Sequence, residues 1–193
     1  MATTPPSASA LFAQLRRLGL NATPELLWVS VPDQRMALLR DGRLVESFAV
    51  STSAKGIGQR EGTQQTPLGL HRVAKKIGHG AEPRTVFKSR EDTGQRWRPE
   101  DGPGENDLIL TRILWLEGLE EGLNKGRAAD GALVDSFERY IYIHGTNHER
   151  ALGRPASHGC VRMGNADVER LFERVPEGTL VFISDQAMPG EFA

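Results

Sequence analysis

The pair Asp41-Gly42 constrains this chain more than any other feature. Residues 34–40 and 43–50 flank it as two strand-like runs. Asp-Gly between such runs signals a two-residue hairpin, because both central positions of that turn need positive φ. Antiparallel β-structure therefore begins early. LLWVSV (26–31), Pro67 to Val73, LILTRILWL (108–116), RYIYIHG (139–145) and TLVFIS (179–184) read as further strands. The 21 glycines and 11 prolines among 193 residues favour a turn-rich fold over a helical bundle. Helical spacing is confined to two stretches. Leu11, Phe12, Leu15 and Leu18 follow possible caps at Ser7 or Ser9, after a disordered start over 1–6. Val168, Leu171, Phe172 and Val175 form an amphipathic stripe capped by Asn165 or Asp167. Segments 51–66 and 117–138 read as loops, and 76–106 as a long irregular insertion.

These patterns predict a single, mainly β domain, a sandwich or partly closed sheet, over residues 26–184. A tail with a short N-terminal helix (1–25) precedes it and a tail (185–193) follows. A net charge of −1 provides no field to draw the whole molecule to nucleic acid or anionic lipid, so neither is an expected partner. No apolar run is long enough to span a membrane. The start MATTPPSASA is polar, and the first basic residues, Arg16 and Arg17, come late, unlike an export signal. The expectation is a cytoplasmic protein, or a periplasmic one if a leader has been removed.

One cysteine, Cys160, is present, so neither an internal disulfide nor a multi-cysteine zinc site can form. By count alone, a lone cysteine is more often a small buried apolar residue than a nucleophile. Its surroundings shift that balance. Cys160 sits in Ser157-His158-Gly159-Cys160-Val161-Arg162, and three of the five histidines, His144, His148 and His158, lie within the fifteen residues 144–158. Alternation in RYIYIHG puts Ile141 and Ile143 on one face and Tyr140, Tyr142 and His144 on the other. A nearby imidazole and a guanidinium favour the thiolate that attack requires. Arg162 is placed to supply that charge or to grip a carboxylate. Other histidines have plainer readings: His148 as a solvated loop residue, His71 and His79 as structural or solvent-facing. The i, i+4 spacing of His144 and His148 would bind metal on a helix, but Gly145 and the strand pattern exclude one there. Trp28, Trp97 and Trp115 read as packing residues.

The segment His144-Gly145-Thr146, Gly153, Ser157 to Arg162 and the helix from Asn165 resembles the signature of the L,D-transpeptidase (YkuD-like) catalytic domain. Thr66-Pro67-Leu68-Gly69 resembles that family's upstream Thr-Pro-x-Gly turn. The resemblance spans about residues 26–184. It implies a β-sandwich domain of L,D-transpeptidase type with a short helix after the catalytic cysteine. It implies Cys160 as nucleophile, His144 as general base and acid oriented by the Gly145 carbonyl, and His158 as a supporting group. Gly159 and Cys160 become candidate oxyanion donors, and Arg162, Ser157 and Thr146 candidate substrate-binding residues. It implies no metal and no organic cofactor. The implied partners are peptidoglycan stem peptides or soluble muropeptides. Their L,D bond would be cleaved through a thioester, then resolved by water (L,D-carboxypeptidase) or by an amine (L,D-transpeptidase forming 3→3 cross-links). Lack of an evident leader favours the hydrolytic outcome, in muropeptide recycling. A non-catalytic peptide-binding module is the alternative of another class, disfavoured because a binder has no use for a thiolate.

Overall fold

The computed structural model describes residues 11, 15–21, 23–190 and 192. The caps at Ser7 and Ser9, the start over 1–6 and Phe12 lie outside the described residues; Leu11 and Leu15–Arg17 are helical. The predicted hairpin is present. β1 (Glu25–Ser30) pairs with β2 (Arg35–Arg40), which turns through Asp41 (φ 50°) and Gly42 (φ 73°) into β3 (Arg43–Ser51). Then come β4 (Gly69–Ile77), β5 (Thr85–Lys88), β6 (Glu91–Arg96), β7 (Ile109–Gly118), β8 (Tyr142–Gly145), β9 (Val161–Met163), helix α1 (Asn165–Arg174) and β10 (Leu180–Ser184). The protein is mainly β.

All these strands join one sheet, in the order β4-β10-β1-β2-β3-β9-β8-β7-β5-β6, and a β4–β7 pairing closes it on itself. Closure removes most exposed strand edges. The β5–β6 hairpin is left projecting from the end of β7. Period-two alternation then sorts the side chains. Leu27, Val29, Met36, Leu38, Ile143, Val161, Met163, Val181 and Ile183 point inside, where Val168, Leu171 and Phe172 of α1 pack among them. Leu26, Trp28, Ala37, Leu39, Leu180 and Phe182 point to the outer face, where Leu11, Leu15, Met188 and Phe192 cover them. Both faces of β1 and β10 are thus buried, which accounts for their near-continuous apolar sequence. Each such side chain contributes roughly 1.5–3 kcal/mol on burial.

Two local expectations are corrected. The segment 76–106 is not irregular: it holds the end of β4, the β5–β6 hairpin and a 3-10 turn at Pro99–Asp101. Every residue of β6 is exposed, so its sequence shows no apolar alternation. Nor does a side chain of Asn165 or Asp167 cap α1. Gly164 occupies the cap, and the Asn165 N–H donates to Glu149 Oε1 at 2.7 Å.

Candidate active site

The parallel pairing of β8 with β9 builds the site. Its register sets Ile143 opposite Val161 and His144 opposite Arg162. Because Ile143, Val161 and Met163 face the interior, Tyr142, His144 and Arg162 share the outward side. Cys160, the residue before β9, lies beside them.

The thiol is half-buried. Its Sγ accepts from the Tyr142 N–H at 3.4 Å and donates to the Tyr140 carbonyl at 3.5 Å. Burial, helped by the negative charge of Asp107, pushes the thiol up to about 12, against the Tyr142 N–H and the Arg162 and Arg139 guanidiniums. The resting group is a thiol and not a thiolate.

His144 is buried, and its Nδ1 lies 2.7 Å from the Gly145 carbonyl. A carbonyl only accepts, so Nδ1 carries the proton and Nε2 keeps its lone pair. Burial holds this imidazole below its ordinary value, so it is neutral at pH 7. A neutral base on the same face as a neutral thiol can take the proton as the sulfur attacks, once the two are brought within hydrogen-bond reach.

The remaining motif residues form the frame. Ser157, buried, donates through Oγ to the Cys160 carbonyl at 2.6 Å and accepts the Gly159 N–H at 3.2 Å. The Gly159 N–H is therefore committed within the loop. Gly159 has φ +126°, and a Cβ there would meet the Gln65 carbonyl at 3.4 Å. Thr146 is buried, with Oγ1 accepting from the His148 N–H at 3.1 Å and its carbonyl held by Asn165 Nδ2 at 2.8 Å. Ser157 Oγ is thus engaged as both donor and acceptor within its own loop, while the Thr146 hydroxyl accepts from the following loop. Arg162 is only 3% exposed and pairs with Asp107 Oδ2. It reaches the site as a buried charge, not an open fork. His158 is exposed and contacts the same Asp107 oxygen at 3.2 Å.

Several residues around the thiol carry no sequence signal. Asp107 joins Arg162 to His158 because Asn147 pins its segment, accepting the Leu108 N–H at 2.9 Å and donating to the Asn106 carbonyl at 2.7 Å. Arg139 donates to the carbonyls of Gly58 (3.4 Å), Gln59 (2.7 Å) and Gln65 (2.9 Å), which ties the 51–66 loop to the site. Tyr140 takes φ 58°, unusual for a bulky residue, and thereby turns its carbonyl to Cys160. Its place on the His144 face was legible from alternation; its backbone conformation was not. His71 is buried and bonds Ser136 Oγ at 2.9 Å. His148 is half-buried, with Nε2 3.2 Å from the Asn106 carbonyl.

A closed β-sheet that sets one thiol at a strand start, on the same face as a tautomer-locked imidazole and within the field of two guanidiniums, defines a cysteine acyl-transfer type of domain. Residues 24–183 match the YkuD model, the L,D-transpeptidase catalytic domain, and the chain belongs to that family. Among relatives assigned to the L,D-transpeptidases, YqjB of Bacillus subtilis is 51% identical over 47 residues, 24% of this chain and 27% of YqjB. YbiS of Escherichia coli is 50% identical over 48 residues, 25% of this chain and 16% of YbiS. The match thus spans about a quarter or less of these relatives' length. The crystal structure of an L,D-transpeptidase from Xylanimonas cellulosilytica superposes with a TM-score of 0.52 at 19% identity, over 85% of this chain and 62% of that one. That likeness is one of fold.

Proposed function

We propose that this protein cleaves the L,D peptide bond of peptidoglycan stem tetrapeptides by two-step acyl transfer at Cys160, with water as the second-step acceptor. The observation that carries the reading is the placement of Cys160, just before β9, on the same face as His144 of the adjoining β8, with the His144 tautomer fixed by the Gly145 carbonyl and its neutrality held by burial. In the first step the thiol proton passes to His144 Nε2 as Sγ attacks the carbonyl carbon. The leaving amine of the terminal D-alanine takes that proton, and a thioester remains. In the second step His144 takes a proton from water, the oxygen attacks the thioester, and the thiol is restored.

Charge supports water over an amine. Arg139 acts on the thiol by its charge, Arg90 lies over the ring of Tyr140, whose carbonyl bonds the thiol, and among the described residues neither forms an ion pair with a carboxylate. An amine acceptor is mostly an ammonium in neutral solution, and two guanidiniums oppose its approach, whereas water meets no such barrier.

The test is mass spectrometry of the purified protein incubated with a tetrapeptide muropeptide, with and without an acceptor peptide. Tripeptide and free D-alanine are expected in both. A 3→3 cross-linked dimer as main product replaces hydrolysis with transpeptidation. Turnover by Cys160→Ala at the wild-type rate overturns the cysteine mechanism.

A further inference from the structure

Two bulky residues in left-handed backbone conformation converge beside the only cysteine. The turn joining β5 to β6 is Ser89-Arg90, with φ of 50° and 70°. Such a turn favours Asn-Gly or Asp-Gly, and a long cationic side chain there is an unusual choice. Tyr140 is the second, at φ 58° and 52% exposed. The two meet: the Arg90 guanidinium carbon lies 4.9 Å from the Tyr140 ring centroid and 5.1 Å from that of Trp115. The same guanidinium hydrogen-bonds Tyr142, whose backbone N–H bonds the Cys160 sulfur. Arg90 therefore touches the side chains of Tyr140 and Tyr142, the two residues whose backbone groups bond the Cys160 sulfur, from the tip of a hairpin whose second strand is wholly exposed. Backbone strain of this kind persists where the surroundings hold it in place, and it clusters at ligand sites.

Of the guanidiniums near the thiol, Arg162 is buried and paired with Asp107, and Arg139 directs three of its five N–H groups to backbone carbonyls. Arg90 is half-buried, lies over the Tyr140 and Trp115 rings, and forms no ion pair with a carboxylate among the described residues. A planar edge of donors fits a two-oxygen anion.

We propose that Arg90, backed by Tyr140 and Trp115, is the anion-binding residue of the acyl-donor site and takes a carboxylate of the bound peptide. The proposal rests on Cys160 being the acyl-accepting nucleophile of stem peptides. It assigns to Arg90 the carboxylate-gripping role that the cysteine motif suggested for Arg162. Two carboxylates are within the chemistry: the C-terminal one of the leaving residue, and one on the side chain of the third residue.

The experiment has two readouts. The first is the ratio of Cys160 alkylation rates with iodoacetate and iodoacetamide, which needs no peptide substrate. Arg90→Gln should lower that ratio severalfold, and Arg90→Lys, which keeps the charge, should largely restore it. The second is kcat/KM for tetrapeptides ending in carboxylate or carboxamide, each with a third residue bearing or lacking a side-chain carboxylate. The wild type should prefer the recognised carboxylate by about tenfold or more, mainly through KM, and Arg90→Gln should lose that preference. The peptide pair whose discrimination disappears identifies the carboxylate. An unchanged alkylation ratio in Arg90→Gln, with carboxylate preference intact, overturns the proposal. If the wild type turns over no tetrapeptide, the functional reading fails, and the alkylation ratio alone decides whether Arg90 forms an anion site.

Discussion

The Thr66 hydroxyl donates to the Gly159 carbonyl at 3.0 Å and accepts the Ser53 N–H at 3.0 Å. This pair joins the upstream Thr-Pro-Leu-Gly turn to the cysteine loop. Ala54 N–H donating to the Ser157 carbonyl at 3.0 Å and Ser157 N–H to the Thr52 carbonyl at 2.8 Å close the same seam. The cysteine's position thus depends on a residue far away in sequence.

Thr66→Val keeps the shape and removes the hydroxyl, leaving a buried carbonyl and a buried N–H unpaired. It should cost about 1–3 kcal/mol of stability per orphaned group and lower kcat more than it raises KM, since the nucleophile's loop loses its anchor. Chemical denaturation and steady-state kinetics check this. Unchanged kcat would mean the loop holds its shape without Thr66.

Asp107→Asn should move two observables in opposite senses. Arg162 keeps its charge in a buried place without its partner, which should destabilise the fold by about 3 kcal/mol. The negative charge that raises the Cys160 thiol disappears, so alkylation at fixed pH should speed up. Slower alkylation would refute the electrostatic role of Asp107.

The thiol held at about 12 predicts its own pH profile. Iodoacetamide labelling of the free protein should rise roughly tenfold per pH unit from neutrality upward, with no plateau below about pH 10. A plateau beginning below about pH 8 would reveal a thiolate–imidazolium pair in the resting protein.

Acid should weaken the fold through His71, which burial holds at about 4 against an unfolded value of 6.5. As pH falls below 6.5 the unfolded chain takes up the proton first. The stabilisation is complete above 6.5, declines towards 4, and levels off below, a loss of about 3 kcal/mol. His144, also lowered by burial, acts in the same direction. Urea titrations at pH 7 and pH 4.5 should show a loss smaller by about 2 kcal/mol in His71→Gln than in the wild type. Equal acid losses in both would place the proton-linked instability elsewhere.

Much of the architecture was written locally. Asp41-Gly42 specified its turn, and alternation in RYIYIHG specified which face carries Tyr142 and His144, because both depend on nearest neighbours along the chain. The stripe Val168, Leu171, Phe172 announced α1 for the same reason. The β5–β6 hairpin was not legible, since strand β6 is exposed on both faces and its sequence, Glu-Asp-Thr-Gly-Gln-Arg, bears no burial pattern.

The sequence by itself determined most of the long strands, the faces of β8 and the order of the motif residues around Cys160. Tertiary structure decided what each motif side chain is free to do. Arg162 stands in the motif as an open cation, but a loop carried in by Asn147 brings Asp107 onto it. Ser157, similarly, is used up inside its own turn. Arg90, silent in sequence, arrives over Tyr140 and Trp115 only because β5 pairs with the end of β7 at Val86–Leu110 and Phe87–Ile109. Burial, pairing and charge proximity are properties of distance in space, and closure of the sheet brings together residues whose separation along the chain says nothing about them.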